Sequence, residues 1–171
     1  MNLSISLNVY WDTGIDVHEG IMLCERAGFG ALDFNLTDYQ RMERPPFLGP
    51  EGDDWTRSVR RTADAQGLPL TQLHAPIYRK FVDTEESARL TAMGYDSLRV
   101  AKLLGVPWVV WEPDTIPGEY GAEFRREASR RNREYFDPFV EEAEKLGVGV
   151  CLENCGDRFA EGWNGSSHWI G

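Results

Sequence analysis

Hydrophobic residues in this chain come in blocks that repeat. Cys24-Glu25-Arg26-Ala27-Gly28 precedes the apolar run Ala31-Leu32-Asp33-Phe34, and Ala63-Asp64-Ala65-Gln66-Gly67 precedes Leu70 to His74. The phrase returns as Ala101-Lys102-Leu103-Leu104-Gly105 before Val106 to Trp111, and as Ala143-Glu144-Lys145-Leu146-Gly147 before Val148 to Leu152. Successive glycines are roughly 40 residues apart, the scale of a repeated supersecondary unit. Each run after a glycine is rich in Val, Leu, Ile and Phe, the pattern of a strand covered on both faces. Helix, glycine stop and buried strand in succession predict βα alternation and a parallel sheet. With Leu3 to Val9 as the first, five strands are expected near residues 3–9, 31–34, 70–74, 107–111 and 148–153.

Between them, apolar residues recur at spacings of three and four, as on one face of a helix. The first helix opens near Asp16 and carries Val17, Ile21, Cys24 and Ala27; the second follows Asp53 and carries Trp55, Val59 and Ala63. Asp83 and Glu86 form a capping pair before a third helix from Ala88 to Leu104. The fourth shows Tyr120, Phe124 and Ala128, then Phe136, Phe139, Val140, Ala143 and Leu146. Asp137-Pro138 is expected to divide it, because proline disfavours helix in the residue before it. Arg41 to Asp54, with three prolines, reads as a loop.

Composition adds limits. At 171 residues, 42% hydrophobic and 27% charged, the chain suits one globular domain over residues 1–171. No apolar run approaches the roughly 20 residues of a membrane span, and Met1 to Leu7 has no basic leader. Three cysteines (Cys24, Cys151 and Cys155) are too few for a disulfide scaffold and fit a reducing, cytoplasmic compartment. Cys151 reads as a small buried side chain. A net charge of −10 argues against general affinity for nucleic acid or membrane, whose surfaces attract basic proteins. In the arginine-rich stretch 125–133, Glu127 to Arg131 and Arg130 to Glu134 are four apart, predicting a salt-bridged helix face.

In parallel α/β folds, ligands gather at the carboxyl ends of strands. Here those ends are polar or aromatic in every unit: Asn8 to Asp12, Asp33 to Asn35, His74, Trp111-Glu112 and Glu153-Asn154. Alternation along the fifth strand puts Gly149, Cys151 and Glu153 on one face and Val148, Val150 and Leu152 on the other. The apolar set belongs against helices, which aims Glu153 inward; by the same parity Gln72 and His74 point together. A carboxylate closing so apolar a strand needs a partner, either a metal ion or a hydrogen-bonded group.

Gly28 to Phe34, His74-Ala75-Pro76-Ile77-Tyr78, Leu104-Gly105-Val106 with Val109-Val110, and Leu146-Gly147 with Leu152-Glu153-Asn154 occur in order. Together they resemble the xylose isomerase-like barrel superfamily, which includes sugar phosphate isomerases and epimerases and endonuclease IV. The resemblance implies an α/β fold of parallel TIM-barrel type, incomplete, with about five strands and flanking helices from the N-terminal part of a (βα)8 barrel. An eight-stranded barrel typically takes about 250 residues, so the chain is expected to be part of a longer protein, to lack full activity alone and to associate through open sheet edges as a homo-oligomer.

The resemblance also implies roles. Glu153 corresponds to a carboxylate that binds a divalent metal (Mn, Mg, Zn or Co) and transfers protons, and His74 to an active-site histidine. Asp33, Trp111, Glu112 and Asn154 are candidates for contact with a small sugar substrate. Each has a plainer alternative: a structural carboxylate at Glu153, a packing histidine at His74, a turn residue at Asp33, an aromatic filling the mouth at Trp111, a solvated Glu112. The family's fourth strand commonly ends in His where this chain has Trp111-Glu112. The implied activity is metal-assisted isomerisation or epimerisation by proton transfer next to a carbonyl. The alternatives are an endonuclease IV-like zinc phosphodiesterase and a non-catalytic barrel remnant serving as an interaction module.

Overall fold

The computed structural model describes residues 3–10, 13–82, 84–119 and 121–153. Five parallel strands form one sheet in sequence order: β1 (Ser4–Ser6), β2 (Ala31–Asn35), β3 (Leu70–His74), β4 (Trp108–Trp111) and β5 (Gly149–Leu152). The crossovers are α1 (Val17–Arg26), α2 (Gly52–Ala65), α3 (Glu85–Leu104) and α4 (Ala122–Leu146). Gly28, Gly67, Gly105 and Gly147 all have φ between 66° and 84°, so each repeat ends its helix in the left-handed conformation that glycine alone adopts without strain.

The core lies between the sheet and the helices. Leu32 and Phe34, Leu73, Val109 and Trp111, and Val148 supply its sheet side, while Ile21, Val59, Leu98, Leu104, Phe136 and Phe139 supply its helix side. The helix face expected on α4 is present, with Arg130 bridging Glu127 and Glu134 at 2.7 and 2.6 Å, and Arg131 on Glu127 at 2.9 Å. Among the described residues no helix is long and apolar enough to cross a membrane.

Four local expectations are corrected. The first strand stops at Ser6, the last residue to pair with β2, and the chain turns into a 3-10 helix over Leu7–Tyr10. Helix α3 is capped by Thr84, whose hydroxyl accepts from Ser87 N at 3.1 Å; Asp83 lies outside the described residues, and Glu86 pairs with Arg89 instead. Pro138 does not divide α4, because Phe136, Phe139 and Ala143 are buried on both sides of it, and that packing outweighs the lost backbone bond. Cys151 is half-buried, since it lies on the face of β5 that none of the described helices covers.

Candidate functional site

The carboxyl ends of β2, β3 and β5 bring three of the expected residues together. His74 Nδ1 lies 2.9 Å from Asp33 Oδ2 and 3.0 Å from Oδ1. On the other side of the ring, Nε2 lies 3.2 Å from Glu153 Oε2. The result is one continuous line, Asp33–His74–Glu153, crossing the sheet.

A register shift makes it possible. Leu32 pairs with Leu70, yet the next residue, Asp33, pairs with Gln72, so Thr71 is skipped. Its hydroxyl donates to Leu32 O at 3.0 Å. Because strand side chains alternate with a period of two, a one-residue slip exchanges the faces. Without the shift, Asp33 would share its face with Thr71 and Leu73; with it, Gln72 and His74 stand on the Asp33 side and Leu73 enters the core. His74 in turn pairs with Val110, and Val110 with Cys151. Glu153, two residues past Cys151, therefore shares the same face, and its backbone N–H donates to Trp111 O at 2.8 Å.

Burial is graded along the line. The side chains of Asp33, His74 and Glu153 are 10%, 17% and 48% exposed. Each ring nitrogen faces a carboxylate, an arrangement in which both donate only when the imidazole is doubly protonated. The hydrogen bond to Asp33 is the largest influence and raises the His74 pKa; burial opposes it, and Glu153 adds to the rise. The arrangement thus runs from a buried carboxyl group, through an imidazole whose protonated form its two neighbours favour, to a half-exposed carboxylate at the open end.

The remaining candidates are placed differently. Trp111 is 1% exposed and packs on Phe136 and Phe139, with ring centroids 6.2 and 5.5 Å away. It belongs to the layer between sheet and helices because its parity matches that of Val109, so the structure puts it neither at the mouth nor beside the cluster. Glu112 is half-buried at the residue after β4, next in register to Glu153. Asn154 lies outside the described residues. Asp33 is turned toward His74 rather than into a turn.

A divalent cation commonly takes three or more protein donors. Among the described residues no three His, Cys, Asp or Glu side chains converge in that way, and His74 Nε2 and Glu153 Oε2 are engaged with each other. The described residues alone do not make up a metal centre, and the metal-ligand role expected of Glu153 would call on further donors outside them.

Comparison with known proteins yields a consistent set of likenesses. A family model described as "Xylose isomerase-like TIM barrel" matches residues 21–168. A D-tagatose 3-epimerase-like protein superposes with a TM-score of 0.66 at 20% identity, covering 93% of this chain and 55% of that one. D-psicose 3-epimerase, solved with D-fructose, gives 0.64 at 16% identity over 94% and 55%. Endonuclease IV from Thermus thermophilus gives 0.55 at 22% identity over 91% and 51%. The chain spans about half the length of these structures, and at such identities the likeness is one of fold. No curated protein matches the sequence significantly. With an endonuclease among the neighbours, the expectation that nucleic acid is excluded gains no support.

Proposed function

Because the chain belongs to the xylose isomerase-like TIM barrel family, we propose that its Asp33–His74–Glu153 line serves proton transfer next to the carbonyl of a small sugar, as in isomerisation or epimerisation. The observation that carries this reading is the half-exposed Glu153 carboxylate held 3.2 Å from a histidine whose far side rests on a buried aspartate.

Each group has a part. Glu153, at the open end of the line, takes the proton from the carbon beside the carbonyl. The electron pair released moves onto the carbonyl oxygen, giving an enediolate. In its doubly protonated form, which Asp33 and Glu153 favour, His74 turns its Nε2–H from Glu153 to that oxygen and donates a hydrogen bond to it as negative charge develops. Asp33 touches no substrate; it is a positioning residue. A proton delivered to the opposite face of the same carbon gives the epimer; one delivered to the former carbonyl carbon, with the hydroxyl proton passing to the other oxygen, gives the isomer. Glu112, the residue after Trp111, which pairs with Leu152 just before Glu153, accepts from a sugar hydroxyl in this reading.

The epimerase neighbours and the family support this reading. Its test is solvent exchange: the chain is incubated with ketoses and ketose phosphates in D2O, and deuterium at the carbon next to the carbonyl is followed by NMR. Exchange needs only removal of the proton, its replacement by solvent deuterium on Glu153, and the reverse of the first step. It is expected with the wild-type chain and lost in Glu153→Gln. Absence of exchange from the wild type, or cleavage of abasic-site DNA in its place, would overturn the proposal.

A further inference from the structure

The segment that leaves His74 has no regular secondary structure, yet side chains from other elements hold it residue by residue. Gln40, in the loop after β2, meets Ile77 twice: Nε2 donates to Ile77 O at 3.1 Å, and Oε1 accepts from Ile77 N at 2.8 Å. Asp114, in the loop after β4, accepts from Lys80 N at 2.6 Å, Phe81 N at 3.1 Å and Arg79 Nε at 2.9 Å. A fourth donor, Thr115 N, lies 2.9 Å from the same carboxylate. Asp114 is 5% exposed, and a carboxylate is buried at that level only when its oxygens are fully engaged.

Asp114 is itself held. Asn132 of α4 accepts from Asp114 N at 2.9 Å and donates to Asp114 O at 2.8 Å. The backbone of Asp114 is therefore fixed to α4, while its carboxylate carries three residues of the β3 loop. That loop starts at His74, and Asp114 stands two residues after Glu112. One buried side chain thus joins the two stretches of backbone that carry His74 and Glu112.

We propose that Asp114 is a positioning residue of the site, which locks the β3 and β4 loops into one wall and so sets where His74 stands relative to Glu153. Its catalytic consequence rests on the proton-transfer reading above; its effect on His74 does not. Both oxygens are needed as acceptors: Oδ2 takes the backbone N–H groups of Lys80 and Phe81, and Oδ1 takes Arg79 Nε and Thr115 N. In Asp114→Asn one of those positions becomes an NH2 group facing donors.

The experiment uses the full chain and two variants, Asp114→Asn and Arg79→Gln; the second removes a donor and leaves the buried carboxylate intact. Three quantities are read: amide hydrogen exchange at Lys80 and Phe81, the ring 15N signals of His74, and deuterium exchange into a ketose. In Asp114→Asn, amide exchange at both residues is expected to rise at least about tenfold with β2 and β3 still protected. The His74 signals are expected to shift and ketose exchange to fall, with smaller changes of the same kind in Arg79→Gln. If the amides open while His74 signals stay unchanged, Asp114 only staples a loop and the proposal is overturned. Loss of protection throughout the sheet in both variants overturns it too, marking a residue of the fold alone. Should the wild type show no ketose exchange, the reaction reading fails and the His74 signals still decide the role of Asp114.

Discussion

His74 Nδ1 rests 2.9 Å from Asp33 Oδ2, and the two residues meet only because β3 slips one place against β2 at Thr71. The contact joins two largely buried polar side chains, so its loss is felt in stability as well as chemistry. Asp33→Ala leaves a ring N–H without its acceptor and is expected to cost about 1–3 kcal/mol. Asp33→Asn, which keeps one acceptor, costs less. Urea denaturation of the two variants beside the wild type measures both values.

Trp111 separates packing from substrate contact. Its ring is enclosed by Phe136 and Phe139, so Trp111→Ala is expected to destabilise by about 3–5 kcal/mol, the range for a buried aromatic replaced by alanine. Trp111→Phe keeps most of the volume and costs much less. Equal stability of Trp111→Ala and wild type, read from thermal unfolding, would contradict this placement.

Pro138 sits inside α4 with its side chain exposed. Proline in a helix interior costs about 3 kcal/mol, and part of that is offset by the restriction it places on the unfolded chain. Pro138→Ala is therefore expected to stabilise by about 1–2 kcal/mol. A lower midpoint in urea for the variant would show that the proline fits its place without strain.

Asp38 supplies a pH dependence with a definite sign. Burial, the larger influence, raises its pKa above the ordinary 3.8, and the hydrogen bond from Asn8 opposes the rise. A carboxyl whose pKa is higher folded than unfolded binds its proton more tightly in the native state. Its contribution is then unfavourable above the folded pKa and vanishes as pH falls below the unfolded value. Asp38→Asn keeps an acceptor for Asn8 Nδ2, now 2.6 Å from Asp38 Oδ1. The variant is expected to melt higher than wild type at pH 7, with the difference shrinking toward about pH 4. A difference that grew on acidification would refute the assignment.

The legible parts of this molecule are those that depend on local chemistry. Gly28, Gly67, Gly105 and Gly147 mark helix ends by conformation, and the apolar runs after them mark β2 to β5; both are written in residue type. Glu153 and His74 are identifiable for the same reason, as polar side chains closing apolar strands. What composition hides is non-local. The skip at Thr71 arises between strands distant in sequence, where the Thr71 hydroxyl donates to Leu32 O across 39 residues, and without it parity alone cannot place Asp33 beside His74. Asp114 is equally hidden: its partners are mostly backbone N–H groups, which every residue type except proline carries. Trp111 misleads in the opposite way, since an aromatic at a strand end suits a cleft or a core, and only the neighbouring helix decides.

The proposed chemistry requires His74 and Glu153 to act as one unit in moving a proton. That requirement is met or refuted by a double-variant cycle on ketose deuterium exchange, with Glu153→Gln, His74→Asn and both together. Groups that act as a unit lose nearly everything when either is removed. Each single variant is therefore predicted to fall almost as far as the pair. Losses that multiply independently, or a Glu153→Gln chain exchanging at the wild-type rate, would contradict it.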